Sequence, residues 1–195
     1  VKEQLISPVA GAIASRVHPT TITLAAFAAG VGAFVCLLFE EMLVCALLWL
    51  LGRLLDGLDG AVARRSGKQT DLGGYLDILL DIVVYALIPV GMALTFPTQA
   101  VLTAAAVLLA VFYVNIASWM YLSALIEKRR AQGMRTEPTS VFMPSGLVEG
   151  TETIVFYTFF VAFPGYFVVL AYLMSAMTTL TVLQRLVWAV RTLGE

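Results

Sequence analysis

Asp56 to Asp81 reads DGLDGAVARRSGKQTDLGGYLDILLD, and these residues decide what kind of molecule the chain forms. Four carboxylates, Asp56, Asp59, Asp77 and Asp81, stand inside two otherwise apolar segments joined by a basic stretch with Arg64, Arg65 and Lys68. Asp56 and Asp59 are three residues apart and Asp77 and Asp81 four apart, so each pair falls on one helix face. The basic stretch between the helices brings both pairs to the same level, where they are expected to converge. Converging carboxylates repel one another unless a cation neutralises them, and all-oxygen ligation suits a hard divalent ion. The expectation is a Mg²⁺ site, with Mn²⁺ able to substitute and two ions accommodated.

The rest of the chain makes those acids more unusual. Of 195 residues, 60% are hydrophobic and 13% charged, and the mean hydropathy is +0.91. A soluble domain carries about a quarter charged residues, so the bilayer is expected to be the solvent for most of this chain. A charged side chain in a span costs several kcal/mol unless it meets a cavity, a partner or a metal. The net charge of −1 offers no field for nucleic acid. Cys36 and Cys45 lie in apolar runs and read as packing residues.

Six segments are apolar enough to span: Thr21 to Phe39, Met42 to Ala63, Leu72 to Phe96, Gln99 to Ile126, Leu147 to Phe163 and Tyr166 to Val190. Before them, Lys2 to Val17 is amphipathic and lacks the apolar core and cleavage site of a signal peptide, so residues 1–18 are expected to form an interfacial helix. Pro19 disfavours a helical His18, and a Thr hydroxyl of Thr20 or Thr21 is available to cap the first span. Ala25/Ala29, Ala26/Gly30 and Ala29/Ala33 allow close helix packing there. Lys2, Arg16, Arg64, Arg65, Lys68, Lys128, Arg129, Arg130, Arg135 and Arg191 all fall on one side of this topology. The loops Glu40-Glu41, Phe96-Pro97-Thr98 and Phe163-Pro164-Gly165 carry no basic residue, which places both termini and the acidic site on the cytoplasmic side. The expected architecture is all-α: one domain over residues 1–195, with a six-helix bundle over residues 20–191.

Gly57 and Gly60 accompany the first acidic pair, and Gly73 and Gly74 precede the second. Gly inside a helix costs about 1 kcal/mol relative to Ala, so its use here implies a bulky group approaching the backbone. Arg64 lies one turn beyond Gly60 and could bind phosphate oxygens bidentately. Acids, metal, glycines and arginine together indicate a pyrophosphate-bearing ligand. The spelling DxxDGxxAR, eight residues, GxxxDxxxD fixes eight residues over twenty-six positions. It resembles the signature of the CDP-alcohol phosphatidyltransferase family, and the six spans and amphipathic N-terminal helix are also similar to that family.

The resemblance implies a membrane enzyme of phospholipid biosynthesis, and a homodimer. It would cleave the pyrophosphate of a CDP-alcohol, usually CDP-diacylglycerol, transfer the phosphatidyl group to a hydroxyl acceptor and release CMP. By resemblance Asp56, Asp59, Asp77 and Asp81 are the metal ligands and Asp81 is the base for the acceptor hydroxyl. Asp56, Gly60, Ala63, Arg64, Thr70, Gly73 and Asp77 are the nucleotide and phosphate contacts. The family often has Pro-Asn before the first span, whereas here Pro19 is followed by Thr20, with Thr23 later.

Acceptor choice is expected from polar groups outside the motif: Asn115 and Ser118 in span four, Arg135 in the following loop, and Glu149 and Glu152 opening span five. The two glutamates would favour an amino or polyol group over a phosphorylated acceptor; the bland alternative is interfacial solvation or pairing with Arg135 or Arg53. Arg53, one turn before Asp56, reads as a counter-charge for an acid, and His18 as an interfacial residue. Alternatives are a transferase using a water-soluble CDP-alcohol, a cation channel or transporter using the acids as an ion path, and a catalytically silent homologue. An ion path is hard to extend, because no polar residues continue the route toward the opposite face.

Overall fold

A computed structural model describes residues 17–132 and 146–193, all of whose regular structure is helical. The expected interfacial helix over residues 1–18 lies almost wholly outside the described residues, as does Arg135. The helices are α1 (Pro19–Leu38), α2 (Met42–Ser66), α3 (Asp71–Thr95), α4 (Gln99–Ala131), α5 (Gly150–Ala162) and α6 (Phe167–Leu193), with a 3₁₀ turn at Pro164–Tyr166. Each expected span coincides with one helix. Four helical segments are long and apolar enough to cross a membrane: α1, α3, Gln99–Arg129 of α4 and Pro164–Leu193. The chain is thus an integral membrane protein. The other two helices depart from the six-span expectation by that measure. Its charged residues set α2 apart, and α5 has thirteen residues, about 20 Å of helix against a hydrocarbon core of about 30 Å.

Two compact units divide the chain. One holds the residues up to Pro97 together with Tyr157–Pro164; the other holds Thr98–Phe156 and the residues from Gly165 on. In the first, α1 packs along both α2 and α3, which touch each other far less. The small residues of α1 make this possible, since Ala26, Ala29, Gly30 and Ala33 are all buried. A Cβ on Gly30 would stand 2.6 Å from Val84 Cγ2, and one on Gly52 of α2 would stand 3.2 Å from the Ala26 carbonyl oxygen. Side chains at those points would push the helices apart. His18 is the extended residue before α1 and Pro19 opens the helix, as expected, but no side chain caps it. A proline at the first position needs no N–H partner, and Thr21 N–H bonds the His18 carbonyl instead of a Thr hydroxyl acting as cap.

Gly67 ends α2 in the left-handed conformation, at φ 64°, and Thr70 caps α3 by accepting from Gly73 N–H at 3.0 Å. This short connection sets the depth of the acids. At 1.5 Å per residue, Asp59 and Asp56 lie about 10 and 15 Å before the end of α2, and Asp77 and Asp81 about 9 and 15 Å after the start of α3. The pairs therefore match in depth.

Pro89 lies inside α3 and has no N–H to offer the Tyr85 carbonyl one turn earlier. The buried Tyr157 hydroxyl donates to that carbonyl at 2.8 Å. Tyr157→Phe should therefore cost about 1–2 kcal/mol of stability, read as a lower melting temperature in detergent. In a Pro89→Ala background, where the helix can satisfy Tyr85 itself, the same substitution should cost less than half as much; an equal cost would show that the hydroxyl stabilises by other means.

Candidate active site

The signature residues border two neighbouring cavities in the first unit, which have Thr23 and Asp77 in common. The larger, of about 200 Å³, lies where the end of α2 and the start of α3 meet α1. Gly60, Ala63 and Arg64 form its α2 side, and Thr70, Gly73 and Gly74 its α3 side. Beside Gly74 there is open space within 4 Å of a hypothetical Cβ, while a Cβ on Gly60 would meet the Arg64 guanidinium at 3.3 Å. The glycines thus keep the cavity wall low. Six of the seven residues expected to contact the nucleotide line this one space, the exception being Asp56. Thr70 Oγ1 accepts from Gly73 N–H, so its own hydroxyl hydrogen remains to donate, and the α3 N-terminus favours an anion there.

Residues outside the signature complete the cavity. Lys68 and Gln69 come from the connection, and Pro19, Thr20 and Thr23 from the start of α1. The α1 start therefore reaches the cavity although Thr20 stands where the family often has Asn.

Asp56, Asp77 and Asp81 border the smaller cavity, about 10 Å³, which is room for roughly one water-sized sphere. Asp59 is buried and turns toward α1, where Thr23 Oγ1 donates to its Oδ2 at 2.6 Å. Arg53, only 6% exposed, donates from Nη1 to Asp81 Oδ1 at 2.5 Å and lies 3.9 Å from Asp56 Oδ2. It is a counter-charge for acids, as its position before Asp56 suggests. The donor set is all oxygen and the smaller cavity admits a bare cation, so the residues fit a hard divalent ion in chemistry and size. They are not gathered for it, however. Among the described residues no three His, Cys, Asp or Glu side chains are placed to hold a metal ion together, with Asp81 Oδ1 engaged by Arg53 and Asp59 Oδ2 by Thr23.

The second unit contains a polar cavity of about 360 Å³, bordered by Asn115, Trp119, Glu149, Thr153 and Arg185. Arg185 Nη1 donates to Asn115 Oδ1 at 2.9 Å and to Ser118 Oγ at 3.0 Å. Asn115 and Ser118, expected to face the acceptor, thus hold an arginine that sequence reasoning overlooked. The signal was available: Arg185 is a lone charge in the apolar run Tyr166 to Val190. Glu149 Oε1 accepts from Gly146 N–H and Glu152 Oε2 from Glu149 N–H, so both carboxylates satisfy backbone donors at the start of α5.

Comparison with known proteins follows the same lines. The family model for CDP-alcohol phosphatidyltransferase matches residues 16–190. The inner membrane protein YnjF of Escherichia coli is 39% identical over 173 residues, covering 89% of this chain and 82% of that protein. The archaetidylinositol phosphate synthase of Aeropyrum pernix is 38% identical over 81 residues, 40% of this chain and 42% of that protein. In fold, the chain is similar to the Mycobacterium tuberculosis phosphatidylinositol phosphate synthase PgsA1, solved with CDP-DAG bound, at a TM-score of 0.70 and 22% identity, over 94% of this chain and 92% of that one. An eight-residue signature placed around adjoining cavities, and a family match that spans nearly the whole sequence, agree: the chain belongs to the CDP-alcohol phosphatidyltransferase family.

Proposed function

We propose that this enzyme takes CDP-diacylglycerol as donor and passes its phosphatidyl group to a hydroxyl acceptor, releasing CMP. The observation that carries this reading is the larger cavity, where signature glycines open a space flanked by Arg64 and Lys68 on one hand and Asp59 and Asp77 on the other. A lipid donor suits α3, whose Leu72, Tyr75 and Leu79 are exposed beside Gly73 and Asp77; acyl chains could lie along that stripe in the bilayer.

In the reaction, the acceptor oxygen attacks the phosphorus that bears the diacylglycerol group. The bond from that phosphorus to the bridging oxygen breaks, and the bridging oxygen leaves with CMP. Arg64 and Lys68 draw the pyrophosphate to the mouth of the cavity, and the Thr70 hydroxyl and α3 N-terminus orient it. Low walls at Gly60 and Gly73 let the nucleotide approach the backbone. Asp81 takes the acceptor's proton through one of its carboxylate oxygens. Asp56, Asp59, Asp77 and Asp81 are the residues that would hold divalent metal, Mg²⁺ in the first instance. When bound, such an ion supplies positive charge against the charge that builds on the departing CMP phosphate.

Asn115, Ser118, Glu149 and Glu152 are the residues this proposal assigns to acceptor choice, Asn115 and Ser118 together with the Arg185 they hold. A single domain of six spans is proposed, α5 being the short one, with the active site cytoplasmic. Supporting that sidedness, Arg64, Arg65 and Lys68 lie at or just after the end of α2, Lys128 and Arg129 lie in the last turn of α4 and Arg191 in that of α6, whereas the turns after α1, α3 and α5 carry no basic residue.

Purified protein should release CMP from CDP-diacylglycerol in the presence of Mg²⁺ and a panel of serine, inositol, inositol phosphate, glycerol phosphate, choline and ethanolamine. No release with any of these would overturn the proposal. Asp81→Asn should abolish turnover yet still bind CDP-diacylglycerol, whereas retained turnover would remove Asp81 from the base role. Lys68→Ala should raise KM for the donor about tenfold with kcat changed less than threefold; a selective fall in kcat would instead mean that Lys68 acts in the transition state.

A further inference from the structure

Arg53 is the one signature-adjacent residue whose surroundings the proposed reaction does not explain. Its guanidinium lies between two rings, with Cζ 5.1 Å from the Trp49 centroid and 5.0 Å from that of Tyr85. The Tyr85 hydroxyl accepts from Nη1 at 3.3 Å, while the buried Nε has no hydrogen-bond partner. Tyr157 fixes both rings, stacking on Trp49 at 5.5 Å and meeting Tyr85 edge-on at 5.1 Å. Trp49 is in turn tethered by its indole N–H to Thr158 Oγ1 at 3.0 Å. The cation therefore has a resting place that does not depend on Asp81. Ring faces attract a desolvated guanidinium by about 2 kcal/mol, so the Arg53–Asp81 bond can open without stranding a buried charge. Such a cradle can hold the cation while its carboxylate partner changes.

We propose that Arg53 is a displaceable internal counter-cation, which holds Asp81 and Asp56 when no metal is bound and must release Asp81 for a divalent ion to enter. Arg53 is thereby a positioning residue that sets the metal affinity of the site, an inference that rests on the metal role proposed for the aspartates. Arginine suits the task because its flat cation stacks between rings, as the compact lysine ammonium does not.

The test measures Mn²⁺ binding to chelator-treated, detergent-purified protein by electron paramagnetic resonance, without substrate. Removing one positive charge about 6 Å from a divalent ion is worth about tenfold in affinity even at the dielectric of water. Arg53→Met should accordingly bind Mn²⁺ about tenfold tighter than the unaltered protein, and Arg53→Lys, which keeps the charge, within about threefold of it. Unchanged or weaker binding by Arg53→Met overturns the proposal. Should Arg53→Met fail to fold, a protein with Trp119→Phe and Trp188→Phe leaves Trp49 as the sole tryptophan, whose emission is read with excitation selective for indole. Mg²⁺ should then change its emission with the midpoint at which Mg²⁺ competes with Mn²⁺, and a silent Trp49 overturns the proposal. CMP release in the same preparations keeps the two questions apart. Release with unshifted Mn²⁺ binding in Arg53→Met defeats the counter-cation alone, and tighter binding without release by the unaltered protein defeats the transferase reading alone.

Discussion

Four carboxylates set into apolar helices are the constraint on which the first unit is built. Each must be kept from facing lipid uncompensated, and the structure solves this locally. Thr23 donates to Asp59, Arg53 holds Asp81 and approaches Asp56, and Asp77 borders both cavities. The compensation is partial by construction. One guanidinium cannot neutralise four acids, and the surplus negative charge is what a cationic cofactor would be drawn to. Groups that would be costly in an ordinary span are thereby kept in a form that chemistry can use.

Geometry follows from two features of the backbone. The small-residue face of α1 lets α2 and α3 both press against it, so their contact is with α1 rather than with each other, and the cavities open where all three approach. The short connection through Gly67 and Thr70 places the acidic pairs at equal depth below the end of α2 and the start of α3. A proline in α3 leaves Tyr85 needing an external donor. Tyr157, which supplies it, also fixes the aromatic cradle of Arg53. Helix irregularity, aromatic packing and the position of a buried cation are thus one connected arrangement.

Much of this was legible in the sequence, because its signals are local. Hydrophobic runs locate the helices, three- and four-residue spacing assigns Asp56, Asp59, Asp77 and Asp81 to shared faces, and small residues mark the packed face of α1. What could not be read depends on residues distant in the chain. Nothing local pairs Arg185 with Asn115 and Ser118, or tells that Tyr157 answers Pro89, since each needs the helices assembled first. The Thr cap expected for α1 gave way to a proline that needs none. That Glu149 and Glu152 each accept from a backbone N–H at the start of α5 is also a contact that spacing alone does not reveal. The thirteen-residue length of α5 was likewise hidden, because apolar composition continues past both of its ends.

The central claim is that the aspartates of α2 and α3 share a divalent ion beside a pyrophosphate bound between Arg64, Lys68 and the start of α3. Anomalous diffraction from crystals grown with Mn²⁺ and CDP tests it most directly. The account predicts an anomalous peak within ligand distance, about 2.0–2.3 Å, of oxygens from at least three of Asp56, Asp59, Asp77 and Asp81, with the diphosphate of CDP next to Arg64. A well-ordered CDP elsewhere, or manganese bound away from these carboxylates, would contradict it.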